Sequence, residues 1–493
     1  MTEPALAVQL GTWASSLRLD DVPSRVASLA TSQVLSQLAA IRAGLAHPLG
    51  RRLLAAYGPP LQADTGRSAA VLAALGSWLN LDDTAYAGHL GLSTVSVPVA
   101  YAHAEGRSGA ALLAAVIAAD ECAARITAAA TLGPLRGQSA LHTHLAGAVA
   151  GRLHVQAAPA QRWIDALGLS FSTPSWPAMH GFLGSDAKVL HAFVPVRAAM
   201  DACDAAAAGL RGAPDILEHP DGFLARFATV PLPAEVIAGL GRRWYTDTLS
   251  FKVRPGGPGI DAAVDCCLDL HRQLRAAGVS IDQDVAAIDI DASVYTLFAA
   301  GRAEQYLDGA ATPISALLLT TPYAVASTLL TGTLTVADFA EPALGEQRRW
   351  ALAERVRLTE DPELTAQLFA ATAPFGEAVR HAGAVAAGWL GAFGTSSLAR
   401  FAIDPAQPAE TFESATKRTP ARVTVQLRDG QTFRSQRDIP IGAAGADSRR
   451  RHRELVRTKF LDQGGSTTVA DALGELELCP AGELARLLEL AIS

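Results

Sequence analysis

The stretch SGAALLAAVIAADECAARI, Ser108 to Ile126, decides how the chain folds. Continued to Ala130 it is apolar on nearly every face of a helix, as is Thr143 to Val155, so both segments belong inside a helical assembly rather than on its surface. The run Ala110 to Ala119 is about half of the roughly 20 residues a bilayer span requires, so protein, not lipid, is expected around it. Outward from this centre, Ala5 to about Trp244 reads as Ala- and Leu-rich helices separated by short Gly, Pro or Asp signals. Val22-Pro23-Ser24 opens one with Val26, Leu29, Val34, Leu35 and Leu38 at helical spacing, and Gly44 closes it. Small residues such as HLAGAVAG, His144 to Gly151, let helix backbones approach closely and leave little side-chain volume to mask a pocket.

The texture changes near Phe251. FKVRPGGPG, Phe251 to Gly259, is a loop by its Gly and Pro content, and Ile260 to Ala277 is an amphipathic helix. Val285 to Phe298 alternates and carries β-branched residues, and Arg422 to Pro440 is two period-2 runs joined by the Asp429-Gly430 turn. Helices are expected at Pro322 to Leu330, Val336 to Phe339 and Glu346 to Val356, giving an α+β region with helices on one face of a small sheet. Arg450 to Ser493 is helical and Leu-rich, suited to returning to the first domain. The expected division is a helical domain over 1–248, an α+β domain over 249–445 and C-terminal helices over 446–493.

At 493 residues the chain exceeds the size of one hydrophobic core. Hydrophobic residues at 49% against 18% charged exclude intrinsic disorder. A net charge of −7 argues against a nucleic-acid surface; Arg449, Arg450, Arg451 and Arg453 read as a solvated helix face. The five cysteines form no CxxC pair, so neither a disulfide framework nor a zinc site is expected. No 20-to-50-residue repeat, G-x-G-x-x-G after a strand, Walker loop, G-x-S-x-G elbow or H-E-x-x-H is present. The first residues carry Glu3 and no early Lys or Arg, unlike a secretory signal, and a cytoplasmic setting is the expectation.

Four patches could carry chemistry. In Asn80 to Pro98, Asp82, Asp83 and Thr84 sit beside Tyr86 and His89; they read either as a helix cap with surface charge or as a carboxylate and hydroxyl lining a pocket. In LRGQSALHTHLAG, from Leu135, the residues are Arg136, Gln138, His142 and His144. The two histidines at i and i+2 face different sides of a helix, so at most one faces a pocket and they cannot share a metal. Lys188 and His191 stand among apolar residues, where a lysine needs a negative partner such as a substrate carboxylate. Lys252 lies at the junction of the two textures, where interdomain clefts bind ligands.

Taken together, the patches resemble the MmgE/PrpD family, which includes 2-methylcitrate dehydratase and cis-aconitate decarboxylase. The resemblance rests on Asp82-Asp83-Thr84, HAEG at His103 to Gly106, the Ser108 to Ile126 run, K-x-L-H at Lys188 to His191, and Ala205 to Glu218. It continues through SFKVRP, the segment around Tyr323, the VTVQLRDG hairpin and Lys459-Phe460, almost the whole chain. It implies a mainly α protein with a large all-helical domain, a smaller α+β lid domain and a homodimer. It also implies a small acidic substrate in the cleft between the domains, with no metal or organic cofactor.

By the same resemblance Lys188 and Lys252 hold anionic oxygen, and Asp83 and Thr84 orient substrate or carry a proton; Tyr323 reads either as a proton donor from the lid or as a packing residue. The chain departs from the family's pattern where Asn80 replaces an Asp, the following H-P-S is missing, and Gln138 stands at the second catalytic histidine. Glutamine is no general base at neutral pH, so His89 and His142 become the candidates to replace the missing histidines. The candidate catalytic set is Asp83, Thr84, His89, His142, Lys188, Lys252 and Tyr323; the candidate binding set is Asn80, Asp82, Tyr86, Gln138 and His191. The leading function is a cofactor-independent lyase or isomerase acting on an activated carboxylate or carbonyl compound outside the standard citrate-type substrates. A repurposed fold catalysing cyclisation or rearrangement of a larger intermediate in secondary metabolism, and a non-catalytic binding protein, are the other readings.

Overall fold

The computed structural model describes residues 3–135, 138–175, 178–257, 259–393, 396–403 and 407–493. The chain is mainly helical, and no helix of the described residues is long and apolar enough to cross a membrane. Five long helices frame the first half: α1 (Ser24–Ala46), α2 (Thr65–Ser77), α3 (Gly109–Ala130), α4 (Gln138–Val155) and α5 (Leu190–Ala207). α3 is buried without a break from Leu112 to Ala130 and packs along α4. Glycine is what lets some of these helices meet. A Cβ on Gly44 of α1 would fall 2.0 Å from the Leu75 carbonyl oxygen of α2, a distance no side chain tolerates.

α3 also buries three charged residues, Asp120, Glu121 and Arg125. Arg125 Nε donates to Glu121 Oε2 one turn back (3.2 Å), and its other nitrogens donate to the Ala238 and Arg243 carbonyls. Glu121 Oε1 accepts from the backbone N–H and hydroxyl of Thr246. The Glu121–Arg125 charge pair is tolerated because its partners are fixed, while burial pushes the Asp120 carboxyl well above the ordinary carboxylate range; the pair pins the segment leading to Lys252 against the centre of the helical half.

Beyond this segment lie α6 (Ile260–Ala276), α7 (Val294–Glu304) and α8 (Thr321–Thr331). They accompany a four-stranded sheet of β4 (Val285–Ala292), β5 (Val356–Glu360), β6 (Ala421–Leu427) and β7 (Thr432–Arg437), in the order β5-β4-β6-β7. β4 pairs parallel to β5 and antiparallel to β6. The Asp429-Gly430 turn closes the β6–β7 hairpin: Leu427 N–H donates to Gln431 O, and Gly430 takes a φ of 90° that glycine adopts without strain. Cys266, Cys267, Leu270 and Leu274 of α6 pack with Ile288, Ile290, Val423 and Val425 in a core of their own. α9 (Ala446–Asp462) then packs on α1, with Ser32 Oγ 2.7 Å from His452 Nδ1. Its arginines Arg450 and Arg451 pair with Asp447 within the helix.

The structure corrects several expected elements. The strand expected over Val285 to Phe298 stops at Ala292, where Ser293 turns the chain into α7. The helix expected over Glu346 to Val356 is Gln347–Ala353, and Val356 starts β5. Val336–Phe339 is a single 3-10 turn. The first half is not helical throughout: β1 (Asp83–Ala85) and β2 (Gly88–His89) form a hairpin, and β3 (Ser250–Phe251) pairs with β1.

Candidate active site

This three-stranded sheet, in the order β2-β1-β3, builds the site. The Tyr86-Ala87 turn folds β2 onto β1 with Tyr86 at a φ of 51°, and β1 meets β3 with Asp83 opposite Phe251. Continuing that register by one residue sets Lys252 across from Asp82. Asp82 is fully buried and held from two sides: His89 Nδ1 lies 2.6 Å from its Oδ2, and Lys252 Nζ lies 3.5 Å from its Oδ1. Burial works to raise the Asp82 pKa, but His89 and the ammonium of Lys252 beside it outweigh burial and keep the carboxyl below the ordinary carboxylate range. Burial lowers the His89 pKa, with Asp82 opposing and Lys252 adding to the drop. The state that follows at neutral pH is an ionised Asp82 accepting a hydrogen bond from the Nδ1–H of a neutral imidazole. The ring, 27% exposed, has no partner for Nε2 among the described residues, so this nitrogen is a free base.

Asp83 faces the other way. Its Oδ1 accepts from Gly91 N–H (2.7 Å) and Gln33 Nε2 (3.3 Å) inside the helical core. Burial and repulsion from Asp82 push its carboxyl up to about 7. Asp83 thus points into the helical core, and Asp82, the residue before β1, is the carboxylate beside His89 and Lys252.

The chain holds only four lysines among 41 Lys and Arg, Lys188, Lys252, Lys417 and Lys459, and all four lie close enough to the Asp82–Asp83 pair to feel its charge. Lys188 is buried and donates to the Ser77 carbonyl and hydroxyl; burial lowers its amine to about 7. Lys417 Nζ donates to Thr84 Oγ1 at 2.6 Å, and burial with the charge of Lys252 lowers it to about 8. Lys459 lies behind the sheet, donating to Ser36 Oγ and to the Leu81 carbonyl; burial opposed by Asp83 leaves it at about 7. Lys417 and Lys459 were missed as candidate site residues. Their rarity was the available signal: where arginine serves the surface, a retained lysine marks a place needing a compact ammonium.

Lys188, Lys252 and Lys417 line a cavity of about 200 Å³, with residues from the helical half facing residues from the α+β half. Asn80, Thr84, Tyr86, His89 and His191 share the wall. Arg302 lines it too, stacked 4.9 Å over Phe298, and has no carboxylate partner among the described residues. Asp82 and Asp261 leave the cations in excess. Buried polar atoms without partners gather at the same wall: Asn80 Oδ1, Tyr86 OH, Thr131 Oγ1 and His191 Nδ1. Unpartnered buried atoms are costly, and a polar ligand would satisfy them. No cluster of three His, Cys, Asp or Glu side chains suited to a metal occurs among the described residues.

Two other candidates lie elsewhere. On α4 it is His144, not His142, that lines the cavity, its Nδ1 3.2 Å from Ser93 Oγ. His142 is turned into the core against the Phe223 ring with both nitrogens unpartnered, as two residues on a helix must diverge. Tyr323 is buried against Trp350 and donates to the Asp338 carbonyl at 2.6 Å, away from the cavity. Gln138 opens α4, its side chain outside the described residues, as is Arg136.

Two family models match the chain: the MmgE/PrpD N-terminal domain over residues 8–234 and the MmgE/PrpD C-terminal domain over residues 257–383. No curated protein matches it.

Proposed function

Because the chain belongs to the MmgE/PrpD family, we propose that its cavity performs cofactor-independent lyase or isomerase chemistry on a small carboxylate. The observation that carries this reading is Asp82, held between His89 and Lys252 at a cavity where cations exceed anions. His89 Nε2 takes a proton from the carbon next to the substrate carboxylate, while Asp82 fixes the ring and offsets the imidazolium charge that forms. The C–H electron pair moves into the carboxylate, and Lys188 and Lys252 hold the developing negative charge on its oxygens. With a β,γ-unsaturated acid, return of the proton from His89 to the γ-carbon gives isomerisation; expulsion of a β-leaving group gives elimination. The homodimer implied by the family and the cytoplasmic setting expected from the N-terminal sequence belong to the same proposal.

The test is an NMR assay of purified protein with 2-methylcitrate, citrate and cis-aconitate in deuterated water. Turnover or deuterium incorporation that is lost in His89→Asn and Lys188→Met supports the reading. Turnover that survives His89→Asn refutes the assignment of the base. Cyclisation or rearrangement of a larger intermediate is favoured by one specific observation, the apolar residues Leu135, Met179, Phe182 and Leu319 that share the cavity wall with the lysines.

A further inference from the structure

A second cavity, of about 250 Å³, adjoins the first and shares two residues with it, Phe182 and His191. Their rings lie 4.5 Å apart, tilted by 34°, and stand between the two spaces. The linings differ in kind. Where the first cavity gathers lysines, the second is walled by Leu141 of α4 and by Leu190, Val194 and Pro195 of α5, and no charged side chain of the described residues reaches it. Leu190 and Val194 are one turn apart, so they form a stripe along α5. Val194 is 40% exposed and marks the outer, water-facing end. An apolar space adjoining a cationic one suits a ligand with the same polarity along its length.

We propose that the second cavity binds an apolar substituent of the substrate, making the ligand an amphiphilic carboxylic acid. Its carboxylate sits among the lysines and its alkyl or aryl part passes between Phe182 and His191. Rotation of those two side chains turns the partition into a passage, and the unpartnered Nδ1 of His191 is available to a polar atom at the junction. The inference rests on the anion-binding reading above for the position of the carboxylate.

Isothermal titration of the intact protein with succinate, 2-butylsuccinate and 2-octylsuccinate tests it. Affinity is expected to rise along the series, by about fourfold for each methylene that becomes buried, and to level off where the chain reaches water past Val194. Val194→Asp places a charge at that outer end and Val194→Trp fills it; each is expected to flatten the rise, whatever the affinity for succinate itself. Binding of succinate with no gain along the series, or a gain unchanged in both variants, overturns the apolar site alone. Failure of every member to bind overturns the anion-binding reading and the apolar site with it.

Discussion

Replacing Lys188 by methionine makes the electrostatics of the cavity measurable. The side chain is 3% exposed, and its amine reaches only the Ser77 carbonyl and hydroxyl, both neutral. Burial lowers its pKa from 10.5 to about 7. A lysine whose folded pKa lies below its unfolded one opposes folding: in full below about pH 7, progressively less from 7 to 10.5, and not at all above. At full strength the gap corresponds to about 5 kcal/mol. Methionine removes that burden and leaves the Ser77 carbonyl short of one donor, a cost of about 1 kcal/mol because Asn80 N–H also approaches that oxygen. The net gain is about 3 to 4 kcal/mol near pH 6. With an unfolding entropy of about 2 cal/mol/K per residue, this raises the melting temperature by about 3 °C. Scanning calorimetry from pH 6 to pH 10 is expected to show Lys188→Met melting above the parent protein at pH 6, with the gap closing towards pH 10. In parallel scans with citrate, the parent is stabilised and the variant is not. A gap that stays constant with pH would refute the account of a burdened amine, and citrate stabilisation that persists in the variant would refute its role in holding anions.

In Asp82→Asn the His89 ring loses its carboxylate, so its titration midpoint, followed by the proton shift of Cε1–H, falls further below the ordinary histidine value. Turnover drops by about 10⁴, as in other Asp–His pairs changed this way, and an unmoved midpoint would break the pairing. Tyr323→Phe removes one buried hydrogen bond and costs about 1 kcal/mol in denaturant titration, with kcat unchanged; a loss of kcat would return Tyr323 to the site. His142→Leu replaces an imidazole with two unpartnered nitrogens and is expected to hold or raise the melting temperature, whereas a loss of anion binding would show that His142 acts on the cavity. Anion affinity falls between pH 7 and pH 9 as Lys188 and Lys417 lose their protons, and a flat affinity across that range would contradict their part in binding.

The helices were legible because their signals are local: Ala110 to Ala130 carries its own apolar surface, and Asp429-Gly430 states its own turn. The small strands were not. β1 and β2 together hold five residues, and it takes β3, more than 160 positions later, to show that Asp83 and Thr84 are strand rather than helix cap. That pairing also decides which carboxylate meets His89, so Asp82 and Asp83 could not be told apart beforehand. The choice between His142 and His144 depends on the rotation of α4 about its axis, which packing against α3 sets. Tyr323 stood in a motif-like segment, yet its hydroxyl is consumed by a backbone carbonyl that sequence cannot place.

The inward placement of all four lysines leaves the folded exterior with arginine as its basic residue. Amine-acylating reagents and amine-directed cross-linkers therefore meet, apart from the α-amino group, only amines set in or behind the cavity. A lysine-specific protease should leave the native chain whole and cut it only on unfolding. Protection of Lys188, Lys252 and Lys417 from acylation by a bound anion would then read occupancy of the cavity directly, without a substrate and without any engineered label.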